Sequence, residues 1–215
     1  MTPGRESTSR RRLLLSGAAV LLSAGGAWAA LRPSPPRYWQ VNAALLQPGD
    51  LLFRRTVSLQ GLAAQAIDAA GRFSHVGLVV GHGAQGEAQV VHACPPEHSA
   101  QTGVRLTTAR AFVDGADVRD AAAARLPIDA AQAGRVAAWA LQHVGWAFNA
   151  DFRLGAPHAL YCTELVWAAM RAAGCRCLPQ PVSWRTPLGE RAVVPMSALI
   201  DLPGLHWLSG VVHMA

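Results

Sequence analysis

Short apolar runs, each closed by glycine, proline or a polar turn, dominate the chain from Pro48 to Leu106. Pro48-Gly49-Asp50 is a turn, and Leu51-Leu52-Phe53 after it predicts a short strand. Leu62 to Ala70 places Ala, Ile and Leu on one face, which predicts a short helix that Gly71 breaks. Ser74 to Gly81 is rich in β-branched residues and predicts a second strand. A hairpin-like turn over Gly81–Gly86 leads to a third, Ala88 to Ala93. Gly103-Val104-Arg105-Leu106 alternates apolar and polar positions, as a half-buried strand does.

Beyond this point the spacing turns helical. Thr107 and Thr108 stand where they can cap a short helix. Asp129 is placed to cap a longer one from Ala130 to His143, with Gly145 as its stop. From Cys162 to Ala173, Leu165, Val166, Ala169 and Met170 share a face, and Gly174 is a natural residue just past the end. Pro179, Pro181, Pro187 and Pro195 mark irregular covering segments. Strands and helices do not alternate, so the expected class is α+β with a small antiparallel sheet.

The N-terminal pattern is different. Ser9-Arg10-Arg11-Arg12 is basic, Leu13 to Gly26 is apolar with small residues, and Ala27-Trp28-Ala29 has the small-x-small form of a cleavage site. Residues 1–29 read as an export signal, and Arg10-Arg11 after Ser9 resembles a twin-arginine signal. The rival reading is a membrane anchor, since Leu13 to Leu31 is just long enough to span a bilayer. Either places the domain in the periplasm or cell envelope. Residues 30–47 read as a linker, proline-rich over Leu31–Pro36, and 48–215 as the folded domain.

Composition narrows the classes. The chain has 215 residues, 51% apolar and 15% charged, which excludes a disordered chain and fits one domain. Its positive charge is carried by arginine alone. The first twelve residues account for half of the net +6, which argues against a nucleic-acid surface on the domain. The four cysteines, Cys94, Cys162, Cys175 and Cys177, could pair in an exported protein, but the sequence does not fix a pairing. They lack zinc-ligand spacing, and no metal or organic cofactor is implied.

Cys162 opens a predicted helix after an aromatic residue. There the exposed N–H groups and the helix dipole favour a thiolate and can hold an oxyanion. His75, at the front of an apolar strand, is the candidate base. His92 lies on the next strand, roughly level with His75 if the two pair as a hairpin, and is the candidate orienting partner. Glu164, two residues after Cys162, reads as a structural or substrate-entrance acid rather than a triad member. The alternatives are ordinary ones: a buried helix cysteine and structural sheet histidines.

Three motifs in order carry a resemblance: Gly49-Asp50-Leu51-Leu52-Phe53-Arg54, Ser74-His75-Val76-Gly77-Leu78-Val79, and Tyr161-Cys162-Thr163-Glu164-Leu165-Val166. With the aromatic stretch Gly145–Phe152, they resemble the circularly permuted, YiiX-like branch of NlpC-type papain-like cysteine hydrolases, which is related to lecithin–retinol acyltransferase. The resemblance implies a permuted papain-like fold, Cys162 as nucleophile and His75 as base. It also implies a third polar residue in the place of His92, where YiiX-like relatives often carry Glu and other relatives His.

The expected function is an exported thiol hydrolase of amide bonds, with peptidoglycan peptides as the substrate class. The second hypothesis keeps the triad and takes a lipid ester or N-acyl amide. The third is a non-catalytic envelope binding module. The expected partners are a peptidoglycan peptide or acyl lipid, with no nucleic acid. Membrane association would come only through the N-terminal segment, and the protein is expected to be a monomer.

Overall fold

The computed structural model describes residues 39–57, 68, 72–95, 102–115, 117–186 and 189–214. The export signal and the helix expected over 62–70 fall outside the described residues, apart from Asp68. No described helix is long and apolar enough to cross a membrane.

The chain opens with β1 (Trp39–Val41), β2 (Asp50–Thr56), β3 (His75–His82), β4 (Ala88–Cys94) and β5 (Gly103–Thr108). It continues through α1 (Ala109–Val113), β6 (Val118–Arg125), α2 (Ala130–Gln142), β7 (Ala147–Phe148), β8 (Ala159–Leu160) and α3 (Cys162–Ala172). It ends with β9 (Val182–Thr186), β10 (Gly189–Val193), α4 (Met196–Ile200), β11 (His206–Trp207) and β12 (Val212–Met214). Six strands form one antiparallel sheet in the order β11-β6-β2-β3-β4-β5. The α+β class is as expected.

The sheet is covered on both faces, which is why its central strands are apolar almost throughout. One face presents Leu51, Phe53, Val76, Leu78, Val91 and Ala93 to α2 and α3. The other presents Leu52, Val79 and Val90 to Phe112 and Val113 of α1. Helix ends follow the capping residues. The Ala111 N–H donates to Thr108 Oγ1, Asp129 and Gln132 cap α2 reciprocally, and Gly174 takes φ +71° after α3.

Three features go beyond the sequence reading or depart from it. β6 is built from Val118-Arg-Asp-Ala-Ala-Ala-Ala-Arg125, an alanine run with high helix propensity. It is a strand because β2 needs a partner on that edge, and small side chains suit a sheet packed on both sides. Arg125 closes this pairing with Nε and Nη2 on the two oxygens of buried Asp50 at 2.8 and 2.9 Å. The proline-marked tail is more regular than expected: β9 and β10 form a hairpin and α4 follows. Finally, Trp39–Val41 pairs with β12 and Leu46 is buried, so packed structure begins inside the stretch read as linker.

Candidate active site

Cys162 is the first residue of α3, and the helix start is fastened on two sides. Glu164 is buried, accepting from Gly155 N–H at 2.7 Å, Asn149 Nδ2 at 3.0 Å and Tyr161 N–H at 3.4 Å. Thr163 Oγ1 donates to the Val194 carbonyl at 2.6 Å, and the Val194 N–H donates to the Tyr161 hydroxyl at 2.9 Å. Glu164 therefore has the structural role, not the substrate-entrance one. Its burial raises its pKa, and the three donors partly offset that rise.

The β3–β4 ladder is paired from Leu78 and Val91 toward the turn, leaving the first residues of β3 outside it. Into this opening comes the sulfur of Cys162, held by the N–H groups of Val76, Thr163 and Cys162 itself. A strand N–H points in the plane of its sheet, so the sulfur lies at that plane, one residue from His75. Burial is the larger influence and pushes the thiol up to about 11; the three N–H groups pull the other way.

His75 and His92 come together directly. His75 Nε2 is 2.9 Å from His92 Nδ1, and both rings are buried. This leaves Nδ1 as the His75 nitrogen available to a thiol. Phe112 stacks on His75 with centroids 5.4 Å apart and meets His92 edge-on at 5.1 Å. Gly77 makes room for it, since a Cβ there would stand 2.5 Å from Val90 and 3.0 Å from Phe112. Burial lowers both imidazole pKa values well below the ordinary range, and Arg54 and Arg105 lower them further. The resting rings are neutral.

Two neighbours of this pair were not foreseen. Arg105 Nε donates to His92 Nε2 at 3.2 Å, and Cys94 Sγ lies 3.3 Å from His92 Nδ1. The first follows from the β4–β5 register, in which His92 faces Arg105; the second follows from β4 itself, where residues two apart share a face. Sequence alternation in β5 was visible; its register was not. All four cysteines are unbridged.

His75, His92 and Cys94 offer three ligand atoms within 4.8 Å of one another. They do not fit a cation. His92 would bind through Nδ1 and carry its proton on Nε2, where Arg105 already donates. The guanidinium groups of Arg54 and Arg105 add repulsion.

Beside Cys162 lies a small pocket of about 30 Å³, lined by Phe152, Tyr161 and the segment Val193–Met196, with Asp68, Ser74 and Thr163 as its polar members. Asp68 Oδ2 accepts from Ser197 N–H. The pocket's described wall is mostly apolar.

Comparison with known proteins agrees with this architecture. A solved structure of the metalloprotein YiiX from Escherichia coli O157:H7 superposes with a TM-score of 0.61 at 21% identity, covering 76% of this chain and 96% of that one. No curated protein matches. Residues 45–182 match the family described as permuted papain-like amidase enzymes, YaeF/YiiX, C92. That span is most of the folded part, holding the thiol helix and both histidine strands; the chain is a member of the permuted papain-like amidases, a family of cysteine peptidases and amidases.

Proposed function

We propose that Cys162, His75 and His92 act together in hydrolysing an amide bond through an acyl-enzyme. The observation that carries this is a sulfur held by the N–H of Val76, one residue along β3 from His75, whose ring is already hydrogen-bonded to His92. His75 Nδ1 takes the thiol proton, and the thiolate attacks the carbonyl carbon. N–H groups at the helix start stabilise the oxyanion. His75 returns the proton to the departing amine, leaving a thioester. Water then attacks the thioester while His75 accepts its proton, and the acid product leaves. His92 orients His75 throughout.

We take peptidoglycan peptides as the substrate class, acting in the cell envelope. The support is the export-type N-terminus together with the amidase family. The YiiX structure is described as that of a metalloprotein; the Arg105 donor at His92 argues against carrying a metal to this chain.

The test is digestion of purified peptidoglycan and of a panel of acyl lipids by the wild type and Cys162→Ala. New amino groups from peptidoglycan, reduced on the order of 10³-fold or more in the variant, are expected. Equal product from both proteins would defeat the proposal.

A further inference from the structure

Of the three polar residues in the wall of the pocket beside Cys162, two are already engaged with backbone. The Ser74 hydroxyl accepts from the Thr56 N–H at 2.9 Å and donates to the Arg54 carbonyl at 3.5 Å. Thr163 Oγ1 donates to the Val194 carbonyl. Asp68 is different. Its carboxylate is only 9% exposed, and Oδ2 accepts from the Ser197 N–H at the start of α4. The other oxygen, Oδ1, has no hydrogen-bond partner among the described residues.

Asp68 also lacks a cation. It belongs to none of the ion pairs among the described residues, and Arg72, the arginine nearest to it in sequence, is engaged with Asp120. The bond to Ser197 needs one oxygen and no charge, so an asparagine would make it equally well. A carboxylate taken out of water without a cationic partner is costly. The second oxygen and the charge of Asp68 therefore have no structural use, and both face a cavity that Cys162 also lines.

The position of the cavity says which part of a substrate would enter it. The departing amine must meet His75 to receive its proton, and His75 is not part of the described wall. The cavity therefore takes the acyl side of the scissile amide. At about 30 Å³ it has room for about two water-sized groups. A cation held there stands close to the carbonyl that the sulfur attacks. The apolar remainder of the wall strengthens a charge-assisted hydrogen bond.

We propose that Asp68 is a specificity-determining residue whose Oδ1 binds a primary ammonium group on the acyl side of the substrate, beside the scissile amide. A peptide offers such a group in two places, the α-amine of an N-terminal residue and the side chain of a diamino acid.

This deepens the catalytic reading above and rests on it for the bond cleaved, but its test needs no turnover. Cys162 of the full-length protein is alkylated with chloromethyl ketones, whose chloride the sulfur displaces, and the adduct is followed by mass spectrometry. Two pairs of reagents isolate the charge. The ketones of alanine and lactic acid carry an amine and a hydroxyl in the same place; those of N-acetyllysine and N-acetylnorleucine differ by the side-chain amine. Each rate is divided by the rate with glutathione, which removes the reagents' own difference in reactivity. In the wild type the cationic member of one pair is expected to react about tenfold faster, and the pair that shows it identifies the source of the amine. Asp68→Asn, which keeps an oxygen for the Ser197 N–H, is expected to bring that ratio to about one. Equal rates within both pairs in the wild type would overturn the proposal, a result that needs no variant. A preference that persists in Asp68→Asn would overturn it too. If the preference and its loss are both found while Cys162→Ala digests peptidoglycan as well as wild type, the catalytic reading fails and this one stands.

Discussion

At the scale of single residues, the site combines groups that burial keeps uncharged. Cys162 is held neutral by burial, and His75 and His92 by burial and two guanidinium groups. A neutral imidazole is available as base only above its own pKa. Because that pKa is lowered, the acid limb of the pH–rate profile is expected below the ordinary imidazole value of about 6.5. Arg105→Met and Arg54→Met, which remove the nearby charges, should move that limb upward in kinetic titrations; a limb that stays in place would show that burial alone sets it. Glu164 makes a second residue-scale case. Glu164→Gln keeps an acceptor for Asn149 but turns an amide N–H toward the donating Gly155 N–H, at a cost of about 1–3 kcal/mol in urea unfolding. Unchanged stability would mean that this carboxylate does not fasten the helix start.

At the scale of elements, much of the site was legible in the sequence. The β-branched run 74–81, the apolar face of 162–173 and the cap at Asp129 each gave the right element, because local spacing and tertiary burial ask for the same pattern there. Cys162, His75 and His92 could thus be placed on a helix start and two adjacent strands. What stayed hidden depended on pairing register. Neither Arg105 opposite His92 nor Phe112 folded back over both rings leaves a local trace. The alanines of β6 gave no strand signal, since their propensity is helical and only β2 makes them a strand. The packing of α1 against β3 gives a direct test. Gly77→Ala would drive a methyl group into Val90 and Phe112, and about 1–3 kcal/mol of destabilisation is expected by urea unfolding. A neutral result would mean that Phe112 yields easily and does not hold His75 in place.

At the scale of the whole molecule, the two buried histidines couple stability to pH. In the unfolded chain each binds a proton as pH falls below about 6.5, while in the folded protein their lowered pKa values keep them neutral. The unfolded state then holds more protons, so stability is retained above that pH and lost below it, by up to about 2.7 kcal/mol per pH unit for two groups. Urea titrations between neutral and mildly acidic pH should show this fall. His92→Gln should reduce its slope by about half; an identical slope would mean that His92 is not held neutral in the fold.

If His75 serves as base to Cys162, the reactivity of the thiol toward a probe that needs no substrate shows it. The rate of Cys162 alkylation by iodoacetamide is followed against pH in the wild type and in His75→Ala. Without its base the thiol must ionise alone from a pKa of about 11, so at neutral pH only about one molecule in 10⁴ is thiolate. The wild type is expected to react about tenfold or more faster at neutral pH, with an acid limb that the variant lacks. Equal rates and equal profiles in the two proteins would contradict the account.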